Sequence, residues 1–265
     1  MTATIASAGS PHALSTRVAS AGVPFTRLVR VESRKLVDTR GGRTMLAVIG
    51  VVTAGVIAAV LFTAEDAGLT FAGLGLAAAL PQAVLLPVMG VLTATNEWSQ
   101  RSALVTFTLE PRRTRVALAK LVAAVLVGVV ALTAALVLGA LANLAGMLWL
   151  DGDGSWAIEG AVLGGALAGQ VIAVVQGVAF GMAIMHSAAA IVALFALPTA
   201  WSVAGLLVDR LQPVAPWLDL SAASTPLMEG QMQGGDWARL ATAATVWLLV
   251  PLLIGLVRLV RREVK

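Results

Sequence analysis

Six long apolar runs constrain this chain more than any other feature. They cover approximately Met45–Thr63, Leu69–Thr95, Val116–Leu150, Ile158–Met185, Ala188–Val208 and Ala238–Val260. A helix needs about 20 residues to cross roughly 30 Å of hydrocarbon. The runs therefore predict an all-α integral membrane protein with six transmembrane helices. Composition agrees: 12% of the residues are charged and the mean hydropathy is +0.90, whereas a soluble domain carries about 25% charge. The third run is overlong. At 1.5 Å per residue its roughly 35 residues would reach about 50 Å, so it either projects beyond the lipid or breaks near Gly139–Gly146. Asn143 alone makes no polar turn, and one span is expected.

Charge sets the expected orientation. Arg17, Arg27, Arg30, Arg34, Lys35, Arg40 and Arg43 precede the first span. Arg101, Arg112, Arg113, Arg115 and Lys120 lie between the second and third, and Arg258, Arg261, Arg262 and Lys265 close the chain. Only Arg210 and Arg239 remain for the opposite side, where most acidic residues fall. Basic flanks stay on the cytoplasmic side, so both termini are expected there, in a multi-pass protein of the plasma (inner) membrane. Residues 1–23 read as a disordered cytoplasmic tail. Residues 24–44 read as an amphipathic interfacial helix carrying Glu32, Arg34, Lys35 and Arg40. Residues 45–260 form the six-helix domain and 261–265 a basic tail. The segment Asp209–Trp237 reads as a longer outer connection, with Trp201, Trp217 and Trp237 as interface anchors.

Within the spans, Pro81 and Pro87 predict a kinked second helix. The pairs Gly160/Gly164, Gly165/Gly169 and Gly177/Gly181 allow close helix approach. The middles of all six runs lack Asp, Glu, Lys and Arg. Their main polar residues are Gln82, Gln170 and Gln176, which either bond between helices or line a substrate path.

Several chemistries are excluded. There is no G-x-x-x-x-G-K-[ST], G-x-S-x-G or H-E-x-x-H sequence, so the chain has no P-loop or familiar hydrolase signature. It contains no cysteine and only His12 and His186, which leaves no basis for a metal centre. Basic residues cluster beside apolar runs, so membrane lipids and not nucleic acid explain them. With no buried carboxylate to carry a proton, energy for transport would have to come from another subunit. The polar island of residues 96–120 would receive it: Glu97 ends the second span, Ala103–Leu109 is a short apolar element, and Pro111 breaks the chain before the third. The simpler reading of the island is a positively charged connector.

The same residues resemble the permease subunits of ABC transporters, specifically type-2 exporter permeases of the actinobacterial type. Val31–Arg43, VESRKLVDTRGGR, is similar to that family's opening segment of Glu, a basic pair, a spacer and Arg. Glu97-Trp98, Thr106-Phe107, Pro111-Arg112-Arg113, Arg115 and Ala119-Lys120 resemble its central pattern in order. Ala179–Ala189 resembles its fourth span and inner turn, and Trp247–Lys265 its closing pattern. The glycine that often follows the acidic pair is missing, and Ala200-Trp201-Ser202 stands where an acid is frequent. The resemblance implies a cytoplasmic coupling element between spans two and three, docking onto a separate ABC ATP-binding subunit. Glu97, Trp98, Arg101 and Thr106 would couple to that subunit, while Arg112, Arg113 and Arg115 contact it or lipid headgroups. It implies no cofactor in this chain, ATP and Mg in the partner, and a second permease as homo- or heterodimer. The chain itself would be no enzyme; it would export a hydrophobic or amphipathic substrate. The competing readings are an intramembrane enzyme and a non-transporting membrane scaffold or sensor-associated protein.

Overall fold

The computed structural model describes residues 23–63, 69–99, 103–150 and 152–261, and among them there is no strand. The helices are α1 (Phe25–Asp38), α2 (Arg40–Thr63), α3 (Phe71–Ser99), α4 (Ala103–Leu109) and α5 (Arg113–Trp149). They continue as α6 (Gly160–Ile184), α7 (Ser187–Leu207), α8 (Ala215–Leu218), α9 (Leu220–Met228) and α10 (Gly234–Arg261). Six of them, α2, α3, α5, α6, α7 and α10, are long and apolar enough to cross a membrane. The chain is thus an all-helical, multi-pass membrane protein.

The overlong third run is one unbroken helix. The 37 residues of α5 exceed the hydrocarbon thickness by about 25 Å. Gly139 and Gly146 do not break it; the Gly146 carbonyl accepts the Leu150 N–H at 3.0 Å and also the Gly152 N–H at 3.2 Å, where the chain turns off the helix end. The two glycines are packing points instead: Gly139 lies on Gly75 of α3, and Gly146 on Leu69.

The centre of the bundle is the contact of α3 with α5 and α6. Gly90 of α3 sits over the Val174–Gly177 backbone, Gly177 lies under the Pro87 carbonyl, and Gly181 meets Val91 and Ala94. Small residues on both helices let the backbones touch, which is how association proceeds where lipid provides no hydrophobic drive. Gly165 and Gly169 meet α9, whereas Gly160 and Gly164 face open space. α2 and α7 lie at the periphery with few buried residues.

Two boundaries differ from the sequence reading. The amphipathic helix ends at Asp38, not residue 44, and Arg40 begins α2. Thr39 is extended, and its hydroxyl accepts the Gly42 N–H at 3.1 Å, capping the new helix. Second, the connection between α7 and α10 is not simply an outer loop. It dips into the bundle and returns. The Leu218 carbonyl accepts the Trp247 indole N–H at 2.6 Å, half-way along α10. Leu227, farther on, backs against Gly165 near the start of α6. Such a segment must satisfy its own backbone away from water. Trp201 donates to the Ala215 carbonyl, and the Asp219 carboxylate accepts the Ala222 N–H to cap α9. Trp201 is therefore an internal tie. At the opposite end of the bundle, α6 turns into α7 through Met185, which has φ 57°, and His186, whose Nδ1 accepts the Ala189 N–H at 3.3 Å. In α10, Pro251 withdraws a donor from the Trp247 carbonyl, and the helix widens to a π turn over Thr245–Leu249.

The α3–α6 crossing makes a direct prediction. A Cβ on Gly177 would collide with the Pro87 carbonyl, whereas one on Gly55 meets nothing within 4 Å. Gly177→Ala should destabilise the detergent-solubilised protein by about 1–3 kcal/mol, read as a fall in its thermal unfolding midpoint. Gly55→Ala should leave the midpoint unchanged or raise it.

Candidate functional site

The site is built at the basic end of the bundle, where α1 lies across the ends of α3 and α5. The face of α1 that meets the bundle carries Glu32 and Leu36, while Arg27, Arg30 and Arg34 are exposed. Burying Glu32 beside apolar helices is costly unless cations meet it. Two do. Glu32 accepts Lys35 at 2.8 Å through Oε1 and Lys120 at 2.7 Å through Oε2. Glu97, near the end of α3, accepts Lys35 and Lys120, each at 3.0 Å through Oε1.

The four side chains close a ring in which acids and bases alternate. Glu97 is 4% exposed, Glu32 5% and Lys120 6%, so three members are out of water and only Lys35 reaches the surface. The ring's formal charge is zero, as its burial requires. A cavity of about 110 Å³ adjoins it, lined also by Leu36, Thr39, Thr93 and Asn96. Burial pulls the Lys35 ammonium down, but the Glu32 and Glu97 carboxylates outweigh it and hold Lys35 above the ordinary lysine value. Its contribution to stability is therefore full below the ordinary value of 10.5 and is lost only as pH rises past the elevated folded value.

Beneath the ring a second set of contacts fixes the α4–α5 connection. Buried Glu110 accepts Arg115 at 2.9 Å and the Arg112 N–H at 3.3 Å. Arg115 also donates to the Val23 carbonyl at 2.8 Å. Arg113 donates to the Leu259 carbonyl at 2.7 Å and lies 4.9 Å over the Phe107 ring. Phe107 packs against Trp98 at 6.2 Å between centroids. Arg258 donates to the Ala183 carbonyl. These cations tie α1, α4, α5, α6 and α10 together at one end.

The sequence-predicted residues thus divide. Glu32, Lys35 and Glu97 come together in the ring. Trp98 joins Phe107 and Arg113 in the second set, while Thr106 precedes Phe107 on the neighbouring α4. Arg113 and Arg115 spend their guanidinium groups inside the chain. Arg112 is exposed, as are Arg34 and Arg40 outside the ring. Arg101 lies outside the described residues. Lys120 and Glu110 were not singled out as site residues. For Lys120 the available signal was a lysine inside an apolar run, where a charge requires a buried partner.

The glutamines divide too. Gln170 Nε2 donates to Gln82 Oε1 at 3.2 Å, and Gln82 Nε2 donates to the Ala131 carbonyl at 2.9 Å. This relay bridges α6, α3 and α5, so both residues bond between helices. Gln176 instead lines a cavity.

Comparison with protein-family models, curated proteins and solved structures gives no match.

The ring should behave as one unit. Lys120→Met strands two carboxylates against one ammonium and should cost about 3–5 kcal/mol. Adding Glu97→Gln restores neutrality and should recover part of that loss. A double-mutant cycle in thermal or denaturant unfolding should therefore give a coupling of about 0.5–3 kcal/mol, whereas independent roles would give additive losses.

Proposed function

We propose that this chain is the membrane-spanning permease subunit of an ATP-binding cassette exporter. In this reading the basic end of the bundle, with both termini, faces the cytoplasm of a cell bounded by the plasma (inner) membrane. A separate ATPase subunit, which holds ATP and Mg, docks on residues 96–120. Two permease chains, identical or related, form the working unit and move a hydrophobic or amphipathic substrate outward.

The observation that carries the proposal is the ion ring. It joins an amphipathic helix outside the spans to the ends of two central spans by contacts too costly to break singly. A force applied at α1 or α4 would reach α3 and α5 as one body. α3 is in turn pressed backbone to backbone on α6, so the movement would pass on to the rest of the bundle. The order of residues from Glu97 to Lys120 supports the same reading by its resemblance to type-2 exporter permeases.

In this reading the residues divide by role. Buried Glu97, Lys120 and Glu32 would transmit movement without touching the partner, and Lys35 would complete the ring at the surface. Trp98, Arg113 and Arg115 hold α4 and the start of α5 in place. The surface left to a motor subunit includes Leu109, which is 73% exposed at the end of α4, and exposed Arg112. A large apolar side chain beside an arginine on an exposed element is suited to a protein contact.

The test is affinity purification in mild detergent from the native membranes. A P-loop ATPase should be recovered in stoichiometric amount with the wild-type chain. Leu109→Glu combined with Arg112→Ala should reduce that recovery by about tenfold or more while membrane insertion is unchanged. Glu97→Ala should retain the ATPase yet lower its transport-linked hydrolysis. Repeated recovery of the chain without any ATPase, from membranes in which neighbouring genes are expressed, would overturn the assignment and favour a non-transporting scaffold.

A further inference from the structure

A second cavity, of about 280 Å³, lies among α3, α6, α7 and α9. Its wall includes Ala83 and Pro87 of α3, Gln176 of α6 and Leu194 to Thr199 of α7, all far from the ends of their spans. Two features set it apart from a packing defect. Both involve polar groups that the protein leaves unused at a depth where lipid offers them nothing.

The first is backbone. Pro87 has no N–H for the Ala83 carbonyl, and Pro198 has none for the Leu194 carbonyl. Both residues that lose a helical donor line this cavity. In hydrocarbon a carbonyl deprived of its helical donor requires another partner.

The second is side chains. Gln82 and Gln170 are engaged with each other, but the Gln176 side chain makes no hydrogen bond among the described residues. Threonines of the spans commonly bond the carbonyl four residues back, as Thr93, Thr95, Thr133, Thr242 and Thr245 do. The Thr199 hydroxyl makes no such bond, and Thr199 lines the cavity. Ser221 of α9 adds a hydroxyl from the inserted segment, while that of Ser224 already donates to the Ser221 carbonyl at 3.0 Å. The remaining wall, with Phe195 and Met228, is apolar. An apolar chamber with a few convergent polar groups is the form of a small-molecule site.

We infer that this cavity binds one amphiphile whose apolar body carries hydrogen-bond donors, taken up sideways from the membrane. The two proline-exposed carbonyls can only accept, so the ligand must bring at least one donor; the Thr199 hydroxyl and the Gln176 amide can donate or accept. No charged side chain lines the cavity. That this ligand is the exported cargo rests on the exporter reading above; that it binds does not.

The experiment uses the full-length protein in lipid nanodiscs and two photoreactive probes, a diazirine-bearing octanol and the matched diazirine octane. The alcohol should label the cavity-facing residues of α6, α7 and α9 about fivefold more than the alkane, the weight of one net hydrogen bond. Gln176→Leu with Thr199→Val removes no bond made inside the protein and should erase that preference. Ala173→Phe, which fills the chamber, should remove labelling by both probes, with an unchanged size-exclusion profile showing that the fold survives. Equal labelling by alcohol and alkane in the wild type, or a preference unaltered by the double substitution, would overturn the inference. Failure to recover an ATPase would leave this labelling pattern intact, so the two readings fail separately.

Discussion

Two carboxylates and an ammonium group buried at the edge of a membrane bundle must be paired, and Lys35 at the surface supplies the second cation. An isolated ionised group there would cost several kilocalories per mole. Here the pairing is cyclic, from Glu32 to Lys35, Glu97, Lys120 and back to Glu32. Because each member serves two partners, none can leave without stranding a charge. The ring therefore decides where α1 lies, how α3 ends and where α5 leaves the bundle. A hydrophobic contact could hold these three helices equally tightly, but it would let them slide. The ring fixes their register.

From this fixed end the bundle continues through contacts of a different kind. α3 meets α6 through Gly90, Gly177 and Gly181, with almost no side chain between the backbones. Higher in the same pair, Gln170, Gln82 and the Ala131 carbonyl form a hydrogen-bonded crossbar. Between it and the Pro87–Gly177 contact lies the chamber walled by Gln176, Thr199 and the inserted α9. Along α3 the order is thus ion ring, backbone contact with α6, chamber and amide crossbar. In the proposed exporter this is the line along which work done at α4 would reach the cargo.

Much of this was legible in the sequence, and the parts that were not share physical causes. Six spans followed from six apolar runs, since backbone satisfaction in lipid leaves few alternatives. The amphipathic helix was legible from its arginines, but its end was not. Thr39 stops it by a local cap, and composition between Asp38 and Arg43 does not change. Glu97 stood out in the sequence, but its burial did not: at a helix end beside arginines it reads as a surface residue until Lys120, twenty-three positions later, is known to meet it. Arg113 and Arg115 were expected on a partner or on lipid headgroups, yet each finds a carbonyl or a carboxylate brought near by the fold. The inserted segment was invisible for a similar reason. Its short helices are too short and too polar to register as membrane-embedded, and the indole bonds from Trp201 and Trp247 that make insertion tolerable join residues distant in the chain.

The most direct measurement of the central claim is hydrogen exchange of the α1 amides in nanodiscs, for the wild type and Lys120→Met. If the ring holds α1 on the bundle, exchange over residues 25–38 should accelerate by about a hundredfold in the variant, as expected for losing a buried ion pair. The amides of α3 and α6 should keep their protection. Unchanged α1 exchange in a variant that still folds would mean that α1 is held by its apolar contacts alone, and the ring would lose its place as the element that couples α1 to α3 and α5.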